Sequence, residues 1–279
     1  MSKRYNGLKY YGNKIEIKKI FLRREYLPIS HLVQENKEFD GKVALISGGS
    51  GGIGLAIAKS LQEAGGTVVI AGTNEKKLES LKIETGLDAI VMNYYKTESF
   101  DAVIKEVVAR HGKLDVFISS AGVHTEKVDF WTMNSDEFNR VMDINLKGVF
   151  FACQSVGKYM KSNKIRGSIL LVSSSRGSEP AWSPYGISKW GLKGLTEGLA
   201  KMFVPYGINV NSIAPGSTAT SLIGVKEGDS ISSSENELGR LVMPDEVATL
   251  ASLLVSDAGK MIDGEVVHIA GGRGTFDIR

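Results

Sequence analysis

Val43-Ala44-Leu45-Ile46-Ser47-Gly48-Gly49-Ser50-Gly51-Gly52-Ile53-Gly54 is the stretch that decides the fold of this chain. Four apolar residues in a row read as a strand buried on both faces, and the glycine cluster ends it. The apolar residues Ile53, Ile57 and Leu61 then recur at helical spacing, and Gly65-Gly66 closes that helix. A strand running through a glycine-rich turn into a helix N-terminus is suited to a pyrophosphate. The glycines let the backbone turn tightly and approach the ligand, and the helix N-terminus meets its negative charge. The segment satisfies G-x-G-x-x-G through Gly49, Gly51 and Gly54, and T/S-G-x-x-x-G-x-G through Gly48, Gly52 and Gly54. Gly48, Ser50, Gly51, Gly52, Ile53 and Gly54 are therefore candidate dinucleotide contacts. No Lys-Ser/Thr pair follows the glycines, which disfavours an ATP or GTP loop.

Outward from this unit the strand–helix alternation continues. Strands are expected at 67–70, 88–92, 114–118, 169–172, 208–213 and 266–269. Helices are expected from Asn74, over 98–110, as one long element over 135–160, over 184–203, and from Pro244 to about 255. Strands alternating with helices imply right-handed crossovers and a parallel sheet covered on both faces. The expected fold is α/β: a single Rossmann-type doubly wound parallel sheet of about seven strands, helices on both faces, over residues 41–279. The serine-rich stretch 229–237 lies within that domain and reads as a loop.

Bulk properties narrow the function. The chain has 279 residues, 42% hydrophobic and 23% charged, ordinary for a globular protein. Residues 1–40 hold nine Lys/Arg against five Asp/Glu, so this segment reads as a basic N-terminal extension or subunit-contact arm. That excess is weak for a nucleic-acid partner. No apolar run approaches a membrane span and no signal-peptide core is present, because charges interrupt 15–27. One cysteine, Cys153, allows no internal disulfide and fits a reducing compartment, so a cytoplasmic protein is expected. The four histidines, His31, His111, His124 and His268, lack ligand spacing and no metal is expected.

A second constellation carries chemistry. Tyr185 and Lys189 are four apart on a helix and so share one face, with Ser174 eleven residues before the tyrosine. An ammonium about 4 Å from a phenol favours the phenolate by roughly 4 kcal/mol at an effective dielectric near 20. Such a phenol, with an ordinary pKa of ~10, is drawn towards neutrality and becomes a usable proton donor or acceptor.

With both motifs in place, the sequence resembles the short-chain dehydrogenase/reductase family over most of residues 41–272. Ser47 to Gly54 is similar to the family's T-G-x-x-x-G-x-G loop, with Ser for Thr. Asn93 stands where the family usually has an Asp near the adenine. Ser119-Ser120-Ala121-Gly122 is similar to N-N-A-G, and Asn145 to the helix asparagine of the catalytic tetrad. Ser174, followed by Ser175-Arg176-Gly177, resembles the family serine better than Ser173 or Ser175 does. Pro215-Gly216 with Thr218 and Thr220 resembles the segment closing over the nicotinamide. Arg240, 244–248 and Gly271-Gly272 resemble the C-terminal third.

The resemblance implies an NAD(P)(H)-dependent oxidoreductase interconverting a ketone or aldehyde and an alcohol. It makes Tyr185 the general acid/base, and Lys189 the group that lowers its pKa and holds the nicotinamide ribose. Ser174 would bind the carbonyl oxygen, and Asn145 would hold a relay water. Thr73, Asn93, Tyr94, Ala121, Gly122, Pro215, Gly216, Thr218 and Thr220 would contact the cofactor, with Tyr185 and Lys189. Gly72-Thr73-Asn74 supplies neither the carboxylate that favours NAD nor an arginine for the 2′-phosphate, and its lack of a carboxylate tilts the choice towards NADP(H).

Departures from the pattern affect Ser119-Ser120, the loop holding Pro180, Trp182 and Pro184, and Tyr94-Tyr95. The three residues between Tyr185 and Lys189 disfavour enoyl reduction, whose branch typically has six. Alternatives are a non-catalytic dinucleotide sensor of the same fold and a 3-oxoacyl thioester reductase. Segment 217–239 would be a lid, with Leu222, Ile223, Val225 and Ile231 as its apolar contacts, and Trp182 and Trp190 would help bound the pocket. The substrate is a small-molecule carbonyl or alcohol, and a homodimer or homotetramer is expected through 135–160 and 183–203.

Overall fold

The computed structural model describes residues 37–226 and 228–273; most of the basic segment 1–40 lies outside the described residues. Among the described residues there are seven parallel strands: β1 (Val43–Ser47), β2 (Thr67–Gly72), β3 (Asp88–Val91), β4 (Val116–Ser119), β5 (Ser168–Val172), β6 (Asn209–Pro215) and β7 (Val266–Ile269). Their order is 3-2-1-4-5-6-7. The helices are α1 (Gly52–Glu63), α2 (Glu75–Thr85), α3 (Phe100–His111), α4 (Ser135–Met142), α5 (Val149–Ser162), α6 (Pro184–Phe203) and α7 (Pro244–Val255).

Both faces of the sheet are core, and the strand period of two assigns each side chain to one of them. Val43 and Leu45 of β1, Phe117 of β4, and Ile169 and Leu171 of β5 pack with Phe100, Ile104, Cys153 and Leu192 from α3, α5 and α6. Ala44, Ile46, Ile118, Leu170 and Val172 point the other way, against Ile57 and Leu61 of α1, Leu78 of α2 and Val247 of α7. The apolar runs therefore carry no alternation because neither face meets water. Phe39 joins the second layer, and its N–H donates to the Ala64 carbonyl at 2.9 Å, so the packed body starts before Gly41.

The expected long helix over 135–160 is instead α4 and α5, joined by a wide π turn at Asp143–Gly148. Such turns add one residue and re-aim the side chains that follow, often at functional sites. Asn145 sits in this turn, fully buried. Gly148 meets the Tyr94 ring, and a Cβ there would lie 2.7 Å from it.

The strand order reverses direction between β1 and β4. That switch point opens a crevice at the carboxyl ends of the strands, where open α/β sheets bind ligands. Among the described residues no helix is long and apolar enough to cross a membrane.

Candidate active site

A cleft of about 610 Å³ occupies the switch point. Gly48, Ser50, Gly51, Gly52, Ile53, Gly54, Thr73, Asn93, Tyr94, Ala121, Gly122, Tyr185, Lys189 and Thr220 of the expected site line it. Its glycine end is bare backbone held to close tolerances. Gly48 has φ +66°, and a Cβ there would lie 2.6 Å from the Ala121 nitrogen. A Cβ at Gly54 would meet the Gly48 carbonyl oxygen at 2.4 Å, and one at Gly52 the Thr220 methyl at 2.5 Å. The first turn of α1 thus lies open to the cleft with no side chain from these glycines. A pyrophosphate fits this cradle by shape and by the dipole of α1.

Along the cleft from this cradle, β2 ends at Gly72, and Thr73 is exposed. Asn74 is the N-cap of α2, accepting from the Lys77 N–H at 3.0 Å, and Lys76 and Lys77 are exposed on that first turn. Tyr94 lines the cleft, but its hydroxyl turns inward. Its ring is buried edge-to-face on Phe100, 5.5 Å between centroids. Its hydroxyl lies 2.6 Å from Ser47 Oγ and 2.8 Å from Ser119 Oγ, and burial pushes the phenol pKa up. The hydroxyl thus joins the ends of β1 and β4. Ser119 is smaller than the asparagine of the family pattern, and Tyr94 reaches the hydroxyl it leaves behind.

The other end of the cleft is built from side chains. Ser183 caps α6, its hydroxyl accepting from the Gly186 N–H at 3.2 Å, and Pro184 opens the helix. Tyr185 therefore stands in the first turn and Lys189 one turn on. Ser174 lies close enough to the Tyr185 phenol to lower its pKa. Of the three neighbouring serines, Ser173 is buried with its hydroxyl on the Lys189 carbonyl, and Ser175 is buried. Ser174 is part-exposed and accepts from the Arg176 N–H at 3.2 Å.

Lys189 is buried. Its Nζ donates to the Val172 carbonyl at 3.0 Å and lies 5.6 Å from the Tyr185 ring centroid. Burial pulls the ammonium down to about 8. Burial also pushes the Tyr185 phenol above its ordinary value, against the lowering effects of nearby Ser174 and the Arg176 charge. The phenol is thus not drawn towards neutrality in the protein alone. Desolvation of the phenolate outweighs its neighbours.

Asn145 is committed to the frame. Its Oδ1 accepts from the Val123 N–H at 2.9 Å, and its Nδ2 donates to the Val123 carbonyl at 2.9 Å and to Ser188 Oγ at 3.3 Å. Three of its four hydrogen-bonding positions are thereby filled by protein. Part-exposed Ser174 and buried Asn145 are not among the residues lining the cleft, and Pro215, Gly216 and Thr218 also lie outside the lining, buried or part-buried at the end of β6. Thr218 donates to the Gly216 carbonyl at 2.9 Å, which aims the chain so that Thr220 reaches Gly52. Leu222 lines the cleft; Trp182 and Trp190 do not, and the Trp190 indole N–H donates to the Glu179 carbonyl at 2.7 Å. His124, which sequence patterning did not single out, lines the cleft and stacks on Tyr185. Its only sequence signal is its position two residues after Gly122.

The sheet order, the glycine cradle at its switch point and the Ser174–Tyr185–Lys189 group define a dinucleotide-binding oxidoreductase fold. A family model described as Enoyl-(Acyl carrier protein) reductase matches residues 48–273. The chain is 35% identical over 244 residues to the 3-oxoacyl-[acyl-carrier-protein] reductase of Rickettsia conorii, spanning 84% of this chain and 98% of that protein. It is 34% identical over 242 residues to the reductase of the same name from Thermotoga maritima, with the same coverage. Among solved structures, a short chain dehydrogenase from Bacillus anthracis aligns with a TM-score of 0.78 at 28% identity, covering 86% of this chain and 99% of that one. Actinorhodin polyketide ketoreductase with NADPH aligns with a TM-score of 0.76 at 26% identity, covering 87% and 100%. The chain belongs to the short-chain dehydrogenase/reductase family. It is an NAD(P)(H)-dependent oxidoreductase acting between a carbonyl and an alcohol.

Proposed function

We propose that this protein reduces the 3-oxo group of an acyl thioester with NADPH, using Tyr185 as the proton donor. The observation that carries the chemistry is Tyr185 at the end of the glycine-lined cleft, with the buried Lys189 ammonium 5.6 Å from its ring centroid. The thioester class draws on the relatives named as 3-oxoacyl-[acyl-carrier-protein] reductases. The preference for NADPH draws on the end of β2, where Thr73 and Asn74 replace a ribose-binding carboxylate and Lys76 and Lys77 stand exposed nearby. The description of the family model mentions enoyl reduction, but the three-residue interval between Tyr185 and Lys189 supports carbonyl chemistry.

The dinucleotide, when bound, supplies a hydride to the carbonyl carbon. Gly48, Gly51, Gly52 and Gly54 leave room for its pyrophosphate at the start of α1, and Thr220 closes over Gly52. Ser174 and Tyr185 donate hydrogen bonds to the carbonyl oxygen as negative charge develops there. Tyr185 then passes its proton to that oxygen, and the Lys189 ammonium stabilises the phenolate left behind. A phenol pushed above its ordinary value is fully protonated at neutral pH, which suits the reducing direction. Asn145 fixes the Val123 backbone and α6 relative to each other, so the donor keeps its place.

The exposed Phe150, Phe151, Ile187, Trp190 and Met202 on α5 and α6, with open space over Gly194 and Gly198, support pairing of subunits through these helices. A homodimer or homotetramer is the expected assembly, checked by light scattering. The function is tested by following NADPH absorbance with acetoacetyl-CoA, simple ketones and aldehydes, and by repeating the panel with NADH. Acetoacetyl-CoA with NADPH is expected to be fastest. Tight NADPH binding with no turnover of any carbonyl, and no change in Tyr185→Phe, returns the protein to the dinucleotide-sensor class.

A further inference from the structure

The segment after β4 is fastened at every residue that approaches Tyr185. Asn145 holds Val123 by both backbone groups. The His124 carbonyl accepts from Arg140 Nη2 at 2.6 Å. Arg140 is itself gripped by Glu137, with Nε to Oε2 at 2.7 Å and Nη2 to Oε1 at 2.9 Å. Glu137 also accepts from the Glu126 N–H at 2.7 Å. This pairing with Arg140, reinforced by that N–H, holds the Glu137 carboxyl down at about 2, so the grip persists across the neutral range. Thr125 Oγ1 accepts from the Tyr185 N–H at 3.3 Å, tying the segment to the first turn of α6.

One ring is delivered by this framework. The His124 imidazole lies 4.2 Å from the Tyr185 ring centroid, with 25° between the planes. Its ring nitrogens make no hydrogen bond among the described residues, so its polar capacity does no work in holding the fold. A tyrosine in the first turn of a helix has a fixed Cα, but its χ2 well is broad and its hydroxyl sits at the end of a long lever. A ring stacked on the phenol removes that freedom.

We propose that His124 is a positioning residue for the reaction: its imidazole, held by the Arg140–Glu137 clamp, stacks on Tyr185 and fixes the direction in which the phenol presents its proton. The inference rests on Tyr185 as the proton donor. Stacking is the operative property, so an aromatic ring without nitrogen serves as well as imidazole.

The test compares wild type, Tyr185→Phe, His124→Ala and His124→Phe in NADPH-dependent reduction of acetoacetyl-CoA, with NADPH affinity from fluorescence titration and Tm for each. Loss of the stack is expected to lower kcat for His124→Ala by about 10- to 100-fold, the scale set by misplacing a reacting group. NADPH affinity stays within about twofold, and His124→Phe recovers kcat to within about threefold of wild type. Wild-type kcat in His124→Ala, with Tyr185→Phe inactive, overturns the inference while leaving the proton donor in place. An equal loss of kcat in His124→Phe and His124→Ala also overturns it, because stacking then is not what the residue contributes. An active Tyr185→Phe removes the underlying reading instead.

Discussion

The two ends of the cleft are built by opposite means. At the glycine loop the site consists of what is missing: backbone that a single Cβ at Gly48, Gly52 or Gly54 would drive into Ala121, Thr220 or Gly48. At the Tyr185 end it consists of side chains held by their neighbours: His124 on Tyr185, Asn145 on Val123, Arg140 on His124. A pyrophosphate needs close approach and N–H groups, which backbone supplies alone. Proton transfer needs one oxygen aimed to within a fraction of an ångström, which backbone alone does not supply. The comparison therefore separates mutations that abolish binding from mutations that abolish turnover.

The largest effect is expected at the side-chain end. Tyr185→Phe removes the proton and leaves the ring, so kcat should fall about 10²- to 10⁴-fold. NADPH affinity by fluorescence should change by no more than about twofold, because the ring still fills its place. A comparable loss of affinity would show that the two ends are not separable. At the glycine end the order reverses. Gly54→Ala sets a methyl 2.4 Å from the Gly48 carbonyl oxygen, whereas the same methyl at Gly51 meets that oxygen at 3.2 Å. Gly54→Ala is expected to weaken NADPH binding by about tenfold or more, about 1.4 kcal/mol, and Gly51→Ala by clearly less. Isothermal titration of both variants checks the ranking.

The difference between the ends also explains how much was legible in the sequence. The glycine end is local: strand, turn and helix follow one another over 43–54, and a residue that needs close approach is written as Gly. The seven strands were legible for the same reason, since a run such as 43–46 buried on both faces has no competing pattern. Tyr185 and Lys189 were legible because helix periodicity links them. His124 and Arg140 were not, because their pairing joins the loop after β4 to α4 and α6 and has no period. The π turn at Asp143–Gly148 hid as well, since one added residue leaves an apolar pattern that still reads as a continuous helix over 135–160. Tyr94 was expected among the cofactor contacts, and it lines the cleft beside Asn93. Its hydroxyl, turned inward to Ser47 and Ser119, depends on registers that only the assembled sheet sets.

That inward tyrosine gives a smaller test, of the wall shared by both ends. Tyr94→Phe removes the partner of two buried hydroxyls, at 2.6 and 2.8 Å, while keeping the ring against Gly148 and Phe100. A loss of about 1–3 kcal/mol in denaturant-determined stability is expected. Because β1 and β4 are joined there, NADPH affinity should fall with it while kcat at saturation is kept. Unchanged stability would mean that Ser47 and Ser119 satisfy each other without the phenol.

The smallest expected effect has the opposite sign, and it comes from the buried lysine of the same end. Lys189 is buried, and its ammonium is pulled down to about 8, against ~10.4 in an unfolded chain. The native state therefore binds this proton less well than the unfolded state. At pH 7 both states carry the charge, and the fold bears a cost of about 3 kcal/mol at 1.36 kcal/mol per unit. The ammonium also donates to the Val172 carbonyl, a contact that a methionine cannot make. Lys189→Met removes both, and its net gain in stability at pH 7 is on the order of 1 kcal/mol, with turnover lost. As pH rises from about 8 to ~10.4 the wild-type native state sheds a proton that the unfolded chain keeps, so wild type gains stability relative to the variant. Thermal unfolding of both proteins at pH 7 and pH 10 checks the sign: the Met variant should have the higher Tm at pH 7 and lose that advantage at pH 10. A Met variant less stable at both values would mean that the lysine holds the fold together as well as serving the reaction.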